Sequence, residues 1–110
     1  MATLIKFNGV TGMRLLRIGR YQVELWWCPK GVKIPYHVHN LCDSWIIHLF
    51  GKTLWSMMDR CKIVTLPGWN RVIPAGVPHA LQALTFCAFL NVETWTSIPS
   101  SASVDFHLTS

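Results

Sequence analysis

Apolar residues recur along this chain in short runs of strand length, and no run shows the spacing of a helix. The runs are rich in Val, Ile, Leu and aromatic residues, and segments that contain Gly or Pro, such as LPGWN and IPAGVP, separate them. This pattern is typical of an all-β sandwich or barrel. The predicted strands are residues 15–18, 21–28, 36–39, 44–50, 53–58, 62–66, 71–73, 79–84 and 86–95. The FGK segment between two of these strands predicts a tight hairpin.

The length of 110 residues fits one domain with a single core. Hydrophobic residues make up 51% of the chain and charged residues 14%, which favours a folded core over disorder. Residues 1–98 are predicted to form one small antiparallel barrel domain. Residues 99–110 are polar and rich in Ser, and they are predicted to form a tail in which VDFHL can dock as an edge strand.

Charge and cysteine content argue against several classes of partner. The formal net charge is +5, but the basic residues are scattered and only Arg14, Arg17 and Arg20 lie close together, so nucleic-acid binding is not expected. No apolar run has the length of a membrane span, and MATLIKFNG lacks a signal-peptide core. The cysteines form no CxxC pair and are predicted to be buried free thiols in a reducing compartment; they are Cys28, Cys42, Cys61 and Cys87. A cytoplasmic location without a membrane partner is expected.

Two histidines and an acid stand close together in GVKIPYHVHNLCD. His37 and His39 are two apart, so on a strand both side chains point to the same face. On the following strand, Asp43 shares one face with Trp45, Ile47 and Leu49, while Ser44, Ile46, His48 and Phe50 share the other. If the first set faces the interior, Asp43 joins the two histidines there and His48 faces outward. Buried polar groups without partners are costly, and a metal ion commonly satisfies such a cluster.

A second motif lies in GWNRVIPAGVPHAL, where Gly68, Pro74, Gly76 and His79 are spaced G-x5-P-x-G-x2-H. The first motif is spaced G-x5-H-x-H-x3-D, beginning at Gly31. Together the two motifs resemble the paired motifs of the cupin superfamily. In that family a small antiparallel β-barrel of the jelly-roll type carries three histidines and an acidic residue as metal ligands.

The resemblance implies that one divalent metal ion, Fe, Mn, Ni or Zn, is bound by His37, His39, Asp43 and His79. Two features depart from the family pattern: the acid is Asp instead of Glu, and the Gly that follows the acid comes one residue late, at Gly51. Three alternatives therefore stay open for Asp43, which can bind the ion directly, bind it through water, or not bind it.

Catalysis at such a site also needs a general acid or base, or a group that anchors the substrate. Glu24 and Tyr36 are the candidates near the first motif, with a solvent-facing Glu24 as the alternative. Trp45, Trp55 and Met57 are predicted either to wall an apolar pocket or to fill the core.

The resemblance implies a metal-dependent protein that acts on a small organic molecule through open coordination positions, with oxygenase-like chemistry favoured over isomerase or lyase chemistry. One alternative is metal-dependent binding of a small ligand without turnover. The other is an interaction module, in which Ile46 and Phe50 face outward at a dimer interface. A homodimer is expected in each case.

Overall fold

The structure is a computed structural model, and it describes residues 3–7, 9–57, 62–97 and 107–108. Eleven strands and no helix lie in these ranges. The strands are β1 (Thr3–Phe7), β2 (Val10–Ile18), β3 (Tyr21–Cys28), β4 (Lys33–Val38), β5 (Cys42–Phe50), β6 (Thr53–Met57), β7 (Lys62–Thr65), β8 (Asn70–Ile73), β9 (His79–Ala83), β10 (Cys87–Trp95) and β11 (His107–Leu108). A helix long and apolar enough to cross a membrane is absent from the described ranges.

The strands form two antiparallel sheets. The six-stranded sheet has the order β1-β2-β3-β10-β5-β8, and the five-stranded sheet has the order β11-β4-β9-β6-β7. Successive strands such as β4 and β5, or β9 and β10, lie in different sheets, so the chain passes repeatedly from one sheet to the other, as in a jelly roll. The predicted all-β class and jelly-roll architecture are confirmed.

Predicted and observed strands agree best where apolar residues are continuous. The prediction for residues 21–28 matches β3, and the predictions between residues 44 and 95 differ from the observed bounds by at most two residues. The pattern misses β1 and the first half of β2. Gly12 interrupts the pattern in β2, and the structure needs a glycine there because a Cβ would lie 2.6 Å from the Trp26 ring.

The FGK segment does not form the predicted hairpin. β5 belongs to the six-stranded sheet and β6 to the five-stranded sheet, so Gly51 turns the chain from one sheet to the other. The φ angle of Gly51 is 78°, and a Cβ at this position would collide with the carbonyl oxygen of Phe86. Only glycine fits both the positive φ and the close approach.

The interior between the sheets is apolar at one end and polar at the other. Along the paired strands β3 and β10, the inward residues run from Cys28 opposite Cys87 to Gln22 opposite Glu93. The core cluster includes Ile34, Trp55, Leu81, Ala83 and Phe89, and Ile46 extends it to the level of Asn91. The polar end contains buried Gln22, Glu24, Asn91 and Glu93. Because buried polar groups need partners, the polar end is where a binding site is expected.

The predictions for the cysteines and for the C-terminal tail concern segments that the structure describes only in part. Cys28, Cys42 and Cys87 are buried thiols that form no disulfide bond within the described residues, as predicted, while Cys61 lies outside those residues. In the predicted tail, β11 pairs with β4 and places Leu108 opposite His37. The rest of the predicted tail, residues 99–106 and 109–110, lies outside the described residues.

Candidate metal centre

Three histidine rings converge at the polar end of the interior. His37 on β4 lies opposite His79 on β9, and their ring centroids are 4.2 Å apart. The ring of His39, just after β4, has its centroid 5.0 Å from that of His37 and 5.1 Å from that of His79. One ring nitrogen from each histidine lies within 4.8 Å of the other two. The structure therefore brings these three predicted residues together, although His79 is some forty residues away in the sequence.

Local backbone geometry aims the rings into the interior. A register shift between Ile34 and His37 interrupts the pairing of β4 with β9, so that both of these side chains are buried. The backbone amide of Gly76 donates a hydrogen bond of 2.7 Å to the carbonyl of His39. That bond ties the end of the first motif to the Pro-x-Gly turn of the second motif. The two motifs thus contact each other directly.

Hydrogen bonds fix the orientation of two of the rings. Nδ1 of His37 lies 2.8 Å from the carbonyl oxygen of Pro35, and Nδ1 of His79 lies 2.9 Å from the carbonyl oxygen of Val77. A carbonyl only accepts hydrogen bonds, so Nδ1 carries the proton and Nε2 carries the lone pair. This second-sphere arrangement is common for histidines that bind metals through Nε2.

Burial keeps these two imidazoles neutral. It lowers the pKa of His37 to about 3, with further contributions from the charges of His79 and His39. Burial also lowers the pKa of His79 to about 4, assisted by the charge of His39 and opposed by the hydrogen bond to Val77. Neutral imidazoles with oriented lone pairs are the form that binds a divalent ion, so the donor set fits the metal that the resemblance implies.

Asp43 is not part of this cluster. Its side chain is exposed, and its Oδ1 accepts a hydrogen bond of 2.8 Å from the backbone amide of Ala75. The physical reason is the alternation of β5, which begins with Cys42 facing inward and therefore turns Asp43 outward. Asp43 instead holds the turn that leads into His79.

The inward neighbour of Asp43 is Ser44, whose side chain is fully buried. Its Oγ has no hydrogen-bond partner within the described residues. The glycine that seemed one residue late, Gly51, now falls at the family spacing if the acid position of the motif is residue 44. At this position the chain carries a hydroxyl in place of a carboxylate.

Glu93 on β10 is a buried acid that the motifs do not indicate. It lies directly opposite Ser44 on the neighbouring strand. One of its carboxylate oxygens, Cys42 Sγ and a ring nitrogen of His39 all lie within 4.8 Å of one another. Burial, together with the charge of Glu24, raises the pKa of Glu93 to about 7. In the sequence, the only signal is that Asn91 and Glu93 stand two apart in an otherwise apolar run.

The two catalytic candidates differ in their surroundings. Glu24 is buried, and its carboxylate accepts hydrogen bonds from Gln22 Nε2 at 2.6 Å, Trp26 Nε1 at 3.0 Å and Asn91 Nδ2 at 3.2 Å. Tyr36 is half-buried, and its Oη donates to the backbone carbonyl of Met57 at 3.3 Å. Glu24 is therefore part of the polar interior, whereas the Tyr36 hydroxyl is used to tie β4 to β6.

His48 faces inward, contrary to the prediction, and is 1% exposed. Its Nε2 donates to the carbonyl of Gly51 at 2.7 Å, and its Nδ1 lies 3.4 Å from Thr65 Oγ1. The same reversal places Trp45 on the outer face, while Trp55 and Met57 are buried in the core. His48 is thus a hydrogen-bonded core residue outside the histidine cluster.

Comparison with known proteins identifies the architecture. No protein-family model matches the chain, and no curated protein matches it. Among solved structures, a cupin superfamily protein from Desulfitobacterium hafniense aligns with a TM-score of 0.71 at 22% identity, covering 83% of this chain and 82% of that one. This chain has a cupin fold.

Solved structures whose names give different activities also align with this chain. A structure of the DMSP lyases RdDddP and RnDddQII aligns with a TM-score of 0.78 at 16% identity over 92% of this chain and 53% of that one. Salicylate 1,2-dioxygenase from Pseudoaminobacter salicylatoxidans aligns with a TM-score of 0.72 at 16% identity over 78% of this chain and 25% of that one. Because structures named as a lyase and as a dioxygenase both align with this chain, the fold does not select a reaction.

Proposed function

We propose that this protein is a metal-dependent cupin enzyme that acts on a small organic molecule. The observation that carries the proposal is the convergence of His37, His39 and His79, whose ring nitrogens lie within 4.8 Å of one another. A divalent ion held there would supply Lewis acidity toward a substrate oxygen or, if it is Fe(II), a site for dioxygen. Three protein nitrogens leave coordination positions open for such ligands.

The chain's own contribution to the reaction is the polar interior beside the histidines. Glu24 is buried, with 5% of its surface exposed, and three neutral hydrogen-bond donors hold its carboxylate in place. Arg17 Nε donates to Gln22 Oε1 at 2.7 Å, so a cation is linked to the carboxylates through Gln22. We assign Glu24 the role of moving a proton to or from the bound molecule.

Two reaction classes fit this arrangement. Oxygenase-like chemistry requires a redox-active ion such as Fe(II) with open coordination positions. Lyase or isomerase chemistry requires a proton acceptor, and the buried Glu24 is the specific observation that favours it. In both classes a compact molecule with a carboxylate or enolate oxygen is the expected substrate, because an anionic oxygen binds a divalent ion directly.

Metal content is the first test. Protein purified without chelators should contain a divalent ion, and the chelated protein should regain stability when Zn²⁺, Mn²⁺ or Fe²⁺ is added. At a free metal concentration 100 times the Kd, the free energy of unfolding should rise by about 2.7 kcal/mol. Atomic emission and thermal melts measure both. A chain that neither contains nor takes up any of these ions contradicts the proposal.

Activity assays then separate the reaction classes. Fe²⁺-loaded protein should consume oxygen with a panel of small thiols, diketones and acids if it is an oxygenase. A lyase or isomerase should convert a small acid without oxygen, and Glu24→Gln should abolish the conversion while leaving the metal content unchanged. A protein that binds metal and ligands but converts none of them is a binding module without catalysis.

We also propose that the protein forms a homodimer through the outer face of the six-stranded sheet. Val23, Val92, Trp45 and Val72 pair in one row across four neighbouring strands of this sheet. Trp45 is 43% exposed and Val72 is 54% exposed. An uncharged apolar row is complementary to itself, so a second copy related by a two-fold axis can cover it.

The predicted interface residues need one correction. Ile46 is 3% exposed and belongs to the core, because the alternation of β5 is the reverse of the predicted one, whereas Phe50 is 58% exposed. Trp45→Lys should therefore yield a monomer, while Phe50→Lys, on another part of the surface, should stay dimeric. Light scattering coupled to size exclusion measures the mass. A monomeric wild-type protein contradicts the proposed dimer.

A further inference from the structure

We propose that Glu93 supplies the carboxylate ligand of the metal centre, in place of the acid that the cupin motif carries on the neighbouring strand β5. This inference rests on the proposed metal-dependent function and specifies its ligand set. It replaces Asp43, which faces away from the histidines, with an acid from a different part of the chain.

The first argument is the strand register. Residue 44 is the second inward position of β5, after Cys42, and it is a serine. Glu93 lies opposite Ser44 in the antiparallel pair of β5 and β10, so both side chains point to the same face with their Cβ atoms about 5 Å apart. The longer side chain of Glu93 can therefore place a carboxylate where an acid at residue 44 would place one.

The second argument is proximity to the histidine cluster. A carboxylate oxygen of Glu93 lies within 4.8 Å of a ring nitrogen of His39, and His39 also belongs to the three-histidine group. The two groups share only His39, so Glu93 approaches the candidate metal centre from the side of that ring. The described ranges contain two other acids, Glu24 and Asp43, and neither of them belongs to a group of potential metal ligands.

The third argument is the supply of hydrogen bonds to Glu93. Its Oε1 accepts from Gln22 Nε2 at 3.0 Å and from Trp95 Nε1 at 3.3 Å, and its Oε2 accepts from Asn91 Nδ2 at 3.3 Å. Such donors orient a ligating carboxylate without neutralising it, as outer-sphere partners of metal ligands do. A divalent ion would supply the charge that a buried carboxylate needs.

Cys42 is the competing ligand, because its Sγ lies in the same group as Glu93 and His39. The structure favours the carboxylate. Hydrogen bonds from Gln22, Trp95 and Asn91 orient its two oxygens. Glu93 also lies opposite residue 44, the acid position of the motif, whereas Cys42 lies two residues before that position. Cys42 is therefore assigned a positioning role beside Glu93.

Binding of Zn²⁺ by three variants tests the ligand directly. Glu93→Gln should raise the Kd for Zn²⁺ by about 100-fold or more, above the 10- to 100-fold range of outer-sphere substitutions. The matched controls are Asp43→Asn, which removes the motif acid and should leave the Kd little changed, and Glu24→Gln, which removes the neighbouring buried acid. Because Gln22 and Asn91 donate to both carboxylates, Glu24→Gln should have the smaller effect of an outer-sphere substitution, at most about 10- to 100-fold. An unchanged Kd in Glu93→Gln overturns the inference, and so does an equal loss in Glu24→Gln, which would show a general effect of buried charge.

A swap variant tests whether the position of the carboxylate is what matters. Ser44→Glu combined with Glu93→Ser moves the acid to the family's position and should recover most of the lost Zn²⁺ affinity. The Co²⁺-loaded wild-type protein should show no intense near-ultraviolet charge-transfer band, because no thiolate binds the ion. A strong band that disappears in Cys42→Ser would assign the ligand to Cys42 and overturn the inference.

Carbon-13 spectroscopy provides a test that does not depend on how a Glu93 variant folds. The chain contains Glu24 and Glu93 as its only glutamates, so protein labelled with ¹³C at the glutamate carboxyl carbon gives two resonances, assigned with Glu24→Gln. Zn²⁺ should shift the Glu93 resonance further than that of Glu24, and an equal or smaller shift overturns the inference. If wild-type protein binds no Zn²⁺ at all, the proposed function itself fails; binding that is insensitive to Glu93 defeats the ligand assignment alone.

Discussion

His79→Ala should weaken Zn²⁺ binding by more than about 100-fold, the upper range seen when only an outer-sphere partner of a metal ligand is lost. His79 is 2% exposed, its Nε2 carries the lone pair, and its ring is packed 4.2 Å from that of His37. Alanine removes one of three convergent nitrogens, and no other side chain of the cluster can replace it. Isothermal titration of the chelated protein with Zn²⁺ measures the loss.

The matched control for this substitution is His48→Ala. His48 is also buried and also hydrogen-bonded through its ring, but its partners are Gly51 and Thr65. Its loss should reduce the free energy of unfolding while the affinity for Zn²⁺ stays unchanged. If His79→Ala binds Zn²⁺ as tightly as wild type does, the histidine cluster is not a metal centre.

The histidine part of the site is predictable because it depends on spacing alone. His37 and His39 are separated by one residue, and the Pro74–Gly76 turn precedes His79 at a fixed interval. These sequence spacings do not change when the predicted ends of a strand are wrong by a few residues. The structure accordingly places all three histidines in one cluster even though β4 begins three residues before the predicted strand.

The acidic residue of the site is harder to predict because its position depends on which face of β5 points inward. A shift of one residue moves every side chain of a strand to the opposite face. On β5 the more apolar set, which includes Trp45, Ile47 and Leu49, suggests an inward face, yet the structure turns it outward. The apolar criterion fails here because the interior is polar at this end of the sheet, and because the outer face is itself apolar. The position of Gly51 was the one signal of the correct phase.

Glu93 could not be inferred from the motifs at all. It lies more than fifty residues from His39 in the sequence, and only the pairing of β10 with β5 brings it opposite Ser44. Pairing between strands that are distant in sequence is set by the whole fold and leaves little trace in a local pattern. The burial of Glu24 belongs to the same category, because alternation places it on a face with Gln22 without showing which face is inside.

Trp55→Ala should lower the free energy of unfolding by about 3–5 kcal/mol, the usual cost of truncating a large buried aromatic residue. Trp55 is 1% exposed, and its ring packs against Phe89 at 5.7 Å and against both Trp69 and His79 at 6.2 Å between centroids. It therefore fills the core and also packs against His79 of the candidate metal centre. Urea denaturation of the chelated protein measures the loss of stability, and Zn²⁺ titration should show weaker binding because His79 loses a neighbour.

Trp55→Phe separates packing from polarity at the same position. The buried Nε1 of Trp55 has no hydrogen-bond partner in the described part of the chain, and an unsatisfied buried donor costs about 1–3 kcal/mol. Phenylalanine removes that donor and keeps an aromatic ring against His79, so the lost volume is partly offset and the net destabilisation should be well below that of Trp55→Ala. Equal losses in the two variants would show that the indole makes a specific contribution beyond filling space. Stability unchanged in Trp55→Ala would mean that the two sheets do not pack around this residue.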